Sequence, residues 1–171
     1  MKSDNNNEIL PLVDNDGNII GKATRGECHN GNKLLHPVVH LHIFDKCGRI
    51  YLQRRPTWKT IQPGKWDTAV GGHIAYGESI LDALKRETLE EVGIKDFVPK
   101  FLLSYLFESE CEKELIYVYI THFDGDIMPT EELDGGRFWN LDEIDESFNK
   151  NILTPNFEQE LLKIRDTISN I

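Results

Sequence analysis

Apolar and polar positions divide the chain into short strand-like runs, one strongly helical stretch in the middle and two more near the end. Residues 9–24 predict a strand, a turn at Asn15-Asp16-Gly17-Asn18 and a second strand, because apolar runs flank a turn-rich tetrad. Residues 38–44 and 49–53 flank a second turn at Lys46-Cys47-Gly48 and predict two strands of a central sheet. Pro63-Gly64-Lys65-Trp66 makes a loop, after which 67–70 leads into Gly71-Gly72. Residues 97–107 and 115–123 predict paired strands, with the Glu-rich stretch 108–114 as their loop or its shoulders. Residues 136–139 predict a short strand and 141–148 a short helix. Residues 156–168 form an amphipathic helix with Phe157, Leu161, Leu162 and Ile164 on its apolar side. Strands, hairpins and helices in this order suggest a mixed sheet between helices, an α+β arrangement.

The helical stretch 78–92 carries the chemistry. At about 100° per residue, Glu87, Glu90 and Glu91 project within an arc of roughly 100° and their carboxylates converge. Leu81, Leu84, Thr88 and Val92 fall on an adjacent stripe suited to burial against a sheet. Like charges three and four apart repel by a few tenths of a kcal/mol per pair, a cost that solvent or a cation relieves. Hard oxygen ligands suit Mg2+ or Mn2+, which share their remaining positions with substrate phosphates. Ser79 or Glu78 can cap the first turn, and Gly93 stands where a left-handed C-terminal cap is wanted. An ordinary solvated acidic face would show the same residue types without the fixed spacing.

Length and composition narrow the classes. A chain of 171 residues is enough for one good core, so residues 8–171 are expected to form one domain behind a disordered tail, 1–7. A net charge of −10 argues against a nucleic-acid-coating surface, which needs a basic face. Cys28, Cys47 and Cys111 are odd in number and match no zinc or disulfide framework, which suits free thiols in a reducing cytoplasm. No long apolar run suggests a membrane span or a signal core, so a cytoplasmic protein is expected.

Gly72, Glu78, Arg86-Glu87, Glu90-Glu91, Gly93 and Ile94 reproduce the spacing of the Nudix box, and the chain resembles that hydrolase superfamily. Thr88 stands where the pattern has an aliphatic residue; on the buried stripe its hydroxyl can bond back to a carbonyl of the preceding turn. The resemblance implies an α/β/α sandwich and water attack on a diphosphate linkage. It implies that Glu87, Glu90 and Glu91 hold Mg2+ or Mn2+, and that Gly72, Gly77, Glu78, Arg86 and Gly93 shape the box. Arg86 is expected to pair with Glu78. A small-molecule diphosphate is the implied partner, and a homodimer is compatible with the superfamily.

The region from Gly21 to Gly93 also resembles, without a gap, the type 1 isopentenyl-diphosphate isomerases and their hydrolase-like relatives. That branch implies a second site for Mn2+ or Zn2+ at His29, His36, His73, Glu112 and Glu114. It also implies cationic contacts to the diphosphate from Arg25, Arg55 and Lys59. The isomerases carry a thiol immediately before the Gly-His of the metal site; this chain has Gly71 there, and Asn156 where they use a tryptophan. With the carboxylate trio intact, hydrolysis is the expected reaction. An isomerase using another acid and a non-catalytic nucleotide or diphosphate sensor are the alternatives. His40 and His42 line a pocket or serve structure; Trp58, Trp66 and Tyr76 stack on substrate or pack in the core.

Overall fold

The computed structural model describes residues 4–169. The chain opens with the hairpin β1 (Ile9–Val13) and β2 (Ile19–Thr24), paired antiparallel. Its turn closes on Asp14, whose Oδ1 accepts the N–H groups of Asp16 and Asn18 at 2.9 Å each. A single helical turn, α1 (Arg25–Cys28), follows, held by a reciprocal capping box between Thr24 and Glu27. So short a turn has no apolar periodicity, and the sequence pattern misses it.

Next come β3 (Leu35–Phe44), β4 (Ile50–Arg54), β5 (Trp66–Thr68) and β6 (Val70–His73), then helix α2 (Ile80–Val92). Strands β7 (Lys100–Glu108), β8 (Lys113–His122) and β9 (Gly136–Trp139) precede helices α3 (Leu141–Ser147) and α4 (Pro155–Ile168). Among the described residues, seven strands form one sheet in the order β5-β4-β3-β8-β7, with β6 also on β3 and β9 on β4. The β3–β8 pair is parallel and the others antiparallel, so the sheet is mixed.

Helices cover both faces. Val39, Leu41 and Ile43 of β3 pack with Ala83, Leu84 and Val92 of α2 on one side. Val38 and Phe44 pack with Ile144 of α3 and Phe157, Leu161 and Ile164 of α4 on the other. Each fully buried Leu, Ile or Phe contributes roughly 1.5–3 kcal/mol relative to exposure. This is the α/β/α sandwich. Because side chains alternate along a strand, His36, His40 and His42 of β3 share the α4 face with Val38.

Two apolar expectations fail at the rims of helices. Leu81 is 46% exposed and Leu162 63%. Leu81 lies in the first turn of α2, where Ala83 and Leu84 meet the sheet instead; Leu162 sits on the outer side of α4, next to buried Leu161. Helix α2 starts at Ile80, with Ser79 as its cap accepting the Asp82 N–H at 3.1 Å. Glu78 instead closes the preceding turn by accepting the Ala75 N–H at 3.0 Å.

Candidate active site

Two clusters of ionisable side chains meet at strand β6. Successive residues of that strand point to opposite faces. A Cβ built on Gly72 would stand 2.1 Å from Glu87 Cδ, so the absence of a side chain there is what lets the α2 carboxylate lie against the strand. Glu87 also accepts from Arg86 Nη1 at 2.7 Å. Glu91 is buried, and its Oε2 accepts from Gln53 Nε2 at 3.0 Å and from the Gly71 N–H at 3.2 Å. Burial pushes Glu87 up to about 7 against the pull of Arg86, and burial plus the Glu87 charge pushes Glu91 well above the usual carboxylate range. The third carboxylate behaves differently: Glu90 is exposed and lies 3.3 Å from Arg86 Nη1. The trio is thus one buried carboxylate, Glu91, one half-buried, Glu87, and one at the surface, Glu90.

Arg86 organises this region. Its Nε and Nη2 donate to the two oxygens of Glu78 at 2.8 and 2.9 Å, and Nη2 also donates to the His73 carbonyl at 3.1 Å. That fork fixes the Gly77 turn, where φ is 87°, to the helix and to β6. Thr88 Oγ1 donates to the Leu84 carbonyl at 2.6 Å, which accounts for a hydroxyl on the buried stripe.

The second cluster lies on the other face of β6. His29 follows α1, His36 is on β3, His73 on β6 and Glu114 on β8; one ligand atom from each falls within 4.8 Å of all the others. His36 Nδ1 donates to the Leu34 carbonyl at 2.8 Å, which leaves Nε2 as a bare lone pair, buried with no partner. His29 Nε2 and His73 Nε2 lie 3.1 Å apart. Glu112 stands outside the four but close by, with Oε2 3.2 Å from His29 Nε2.

Burial lowers all three histidines: His29 to about 4, His36 below its ordinary value and His73 well below it. Burial raises Glu112, and burial together with the Glu112 charge raises Glu114 to about 8. Three converging imidazoles whose charged form burial disfavours, beside buried carboxylates, are a donor set that fits Mn2+ or Zn2+, since a cation there relieves the carboxylates' desolvation and mutual repulsion.

The three expected anion contacts are not bare. Arg25 Nη2 and Lys59 Nζ lie 3.3 and 2.7 Å from the same oxygen of Asp4, in the N-terminal segment. Arg55 Nη1 is 3.3 Å from Asp67. Asp4 therefore contacts the site and the Asn6 carbonyl accepts the Gly26 N–H at 3.0 Å, while residues 1–3 of the expected tail lie outside the described residues. Trp58 and Tyr76 are exposed, whereas Trp66 is half-buried and packs edge-on to Trp139.

Asp67, Gln53, Tyr105 and Glu160 are site neighbours that sequence reasoning does not single out. A lone Asp in a three-residue strand, or a Glu on an amphipathic helix, carries no spacing signal. Only alternation along β4 could have pointed Gln53 inward.

Residues 34–159 match the NUDIX domain family. An isopentenyl-diphosphate Δ-isomerase of Mycolicibacterium vanbaalenii is 36% identical over 138 residues, covering 77% of this chain and 76% of that one. A Nudix hydrolase of Streptomyces coelicolor, itself uncharacterised, is 36% identical over 103 residues, 60% of this chain and 56% of its own length. Among solved structures, a Deinococcus radiodurans protein superposes with a TM-score of 0.73 at 21% identity, over 86% of this chain and 92% of that one, a likeness of fold. With its box on α2, its mixed sheet between helices and its family match over most of the chain, this protein belongs to the Nudix hydrolase family.

Proposed function

We propose that this protein is a metal-dependent hydrolase that cleaves the diphosphate linkage of a nucleoside diphosphate derivative or a similar organic diphosphate. The observation that carries the reading is the pair Glu87 and Glu91, the first half-buried and the second buried, packed against Gly71-Gly72 with their acidity suppressed. Like charges so far withdrawn from water are costly in isolation and suited to Mg2+ or Mn2+.

Glu87, Glu90 and Glu91 would hold the ion, with Glu90 turning in from the surface. A divalent ion there supplies charge neutralisation for the diphosphate and acidifies a bound water. Arg25, Arg55 and Lys59 would hold the distal phosphate oxygens, guanidinium forks and ammonium being suited to them. A glutamate, from the box or from Glu108, Glu110, Glu112 or Glu114, would accept the proton of the attacking water. Gly77, Glu78, Arg86 and Gly93 keep the box in shape. His29, His36, His73, Glu112 and Glu114 would hold a second ion, Mn2+ or Zn2+, and that complete cluster is the observation favouring an isomerase-like alternative. Gly71 offers no side chain where the resemblance puts the isomerase thiol, so hydrolysis is preferred. The free thiols Cys28, Cys47 and Cys111 suit a cytoplasmic location, and among the described residues no helix is long and apolar enough to cross a membrane.

The test is turnover of a panel comprising ADP-ribose, a dinucleoside polyphosphate, a UDP-sugar and isopentenyl diphosphate, each with Mg2+ or Mn2+. Metal-dependent cleavage of at least one is expected. In the double variant Glu90→Gln, Glu91→Gln, cleavage should drop by at least a hundredfold while the circular dichroism spectrum is kept. Full activity in that variant removes the carboxylate assignment, and double-bond migration in isopentenyl diphosphate without cleavage favours the isomerase.

A further inference from the structure

Glu160, near the start of the last helix, is fully buried. An ionised carboxylate in such a place is tolerated only when its oxygens are bonded. His42 Nε2 lies 2.6 Å from Oε1; His40 Nδ1 at 2.7 Å and the Tyr105 hydroxyl at 2.5 Å bond to Oε2. The two histidines differ in what their other nitrogen meets. His42 is sealed in, and its Nδ1 is buried without a partner. His40 keeps 8% exposure and turns its far edge to Gly71, its register partner on β6. A Cβ at position 71 would stand 3.3 Å from His40 Cδ2 and 3.5 Å from Nε2, so any side chain there would crowd this edge. The same Gly71 donates its N–H to Glu91. One bare glycine thus separates the His40 Nε2 edge from a buried carboxylate of the box.

We propose that Glu160 and His40 form a proton-transfer dyad in which His40 Nε2–H faces the diphosphate cleft across Gly71 and protonates the departing oxygen. The proposal rests on the hydrolase reading. Glu160 is a positioning residue: a carboxylate on Nδ1 fixes the tautomer and orientation of the ring and stabilises its cation. A purely structural bond to Glu160 would require nothing of the second nitrogen, and His42 already supplies one. Burial opposes a charge on His40, yet the Glu160 charge and hydrogen bond outweigh it and hold the imidazolium up to about 9, with Asp67 and Glu114 adding to the effect.

In the step, the oxygen of water bonds to phosphorus as the bridging P–O bond breaks. The water's proton passes to a carboxylate. The bridging oxygen leaves with the bonding pair and takes the Nε2 proton, while Glu160 stays ionised. Solvent then returns a proton to His40 and removes one from the carboxylate, so one water is consumed per linkage cleaved.

The experiment uses the full chain and the panel compound that it cleaves. His40→Gln should lower kcat by at least a hundredfold, the lower end of what a general acid supplies, with KM within threefold. A folded His40→Gln protein with kcat within threefold of the parent overturns the dyad and leaves the hydrolase standing; no cleavage of any panel compound by the parent overturns both. Should the variant fail to fold, the parent decides through 15N spectra of its labelled histidines during titration with Mg2+ and inorganic pyrophosphate. His40 Nε2 should shift while His42 Nδ1 does not. Pyrophosphate that binds by calorimetry without moving His40 Nε2, or does not bind at all, overturns the dyad.

Discussion

Asp4 shows how much one carboxylate can alter a cationic site. Its Oδ1 sits within reach of both Lys59 and Arg25, whose charges hold it below the usual carboxylate range even though burial works against them. Those cations are the ones proposed to take the phosphate oxygens, so a bound diphosphate has to displace Asp4. Removing the charge should therefore tighten substrate binding. Asp4→Asn is expected to lower KM severalfold for whichever diphosphate is cleaved, with kcat changed by less than twofold, in steady-state kinetics. An unchanged or higher KM would mean that Asp4 helps to hold the cations in place. Nothing in the residue pattern announces this contact, because a lone Asp in a polar leader has no spacing to read. His29, His36, His73 and Glu114, in contrast, were legible through resemblance and do come together in space. The graded burial of the trio, Glu91 buried, Glu87 half-buried and Glu90 exposed, is not legible in the sequence, since a helical wheel gives direction without saying where the sheet ends.

At the scale of elements, α2 carries the most independent signals in the sequence, although it starts at Ile80 rather than at residue 78. Ser79 caps its start, Thr88 bonds back to Leu84, and Gly93 ends it with φ of 72°, donating its N–H to the Leu89 carbonyl. That last residue carries a conformational demand which can be measured. A Cβ at position 93 would be held in the left-handed region and placed 3.2 Å from the Met128 carbonyl oxygen. Gly93→Ala should cost about 1–2 kcal/mol from the strained backbone, read as a lower midpoint in urea denaturation. Gly93→Asn should recover part of it, since Asn tolerates this conformation better than Ala. Equal stability of Gly93→Ala and the parent would show that the helix end relaxes freely. Strand β6 was harder to read. Val70, Gly71, Gly72 and His73 give almost no hydrophobic pattern, yet their alternation decides which cluster each residue serves: Gly72 the α2 carboxylates, Gly71 and His73 the opposite face. The parallel β3–β8 pairing has no local signal, because five other elements, β4, β5, β6, α2 and β7, separate its partners along the chain.

For the whole molecule, the histidine–glutamate cluster matters because its members come from elements remote in sequence. His29 follows α1, His36 and Glu114 face each other on the parallel strands β3 and β8, and His73 ends β6. An ion held by all four would tie the N-terminal region to the centre of the sheet, and the unfolded chain could not reproduce that geometry. Binding to the folded state alone stabilises it by about 2.7 kcal/mol when free metal is a hundredfold above Kd. In a chain of this size 1 kcal/mol moves the melting midpoint by roughly 2–4 °C, so the shift should be about 5–10 °C. Chelator-treated protein is expected to melt lower by that amount and to recover with Mn2+ or Zn2+, measured by differential scanning fluorimetry or calorimetry. His29→Ala should abolish the recovery, because His29 supplies one of the four converging atoms from a position open enough for the fold to survive its loss. Glu90→Gln, Glu91→Gln should keep it, since those carboxylates belong to the other cluster. A midpoint that ignores Mn2+ and Zn2+ in the parent would remove metal from the histidine cluster, whereas a response lost in both variants would merge the two clusters into a single binding unit.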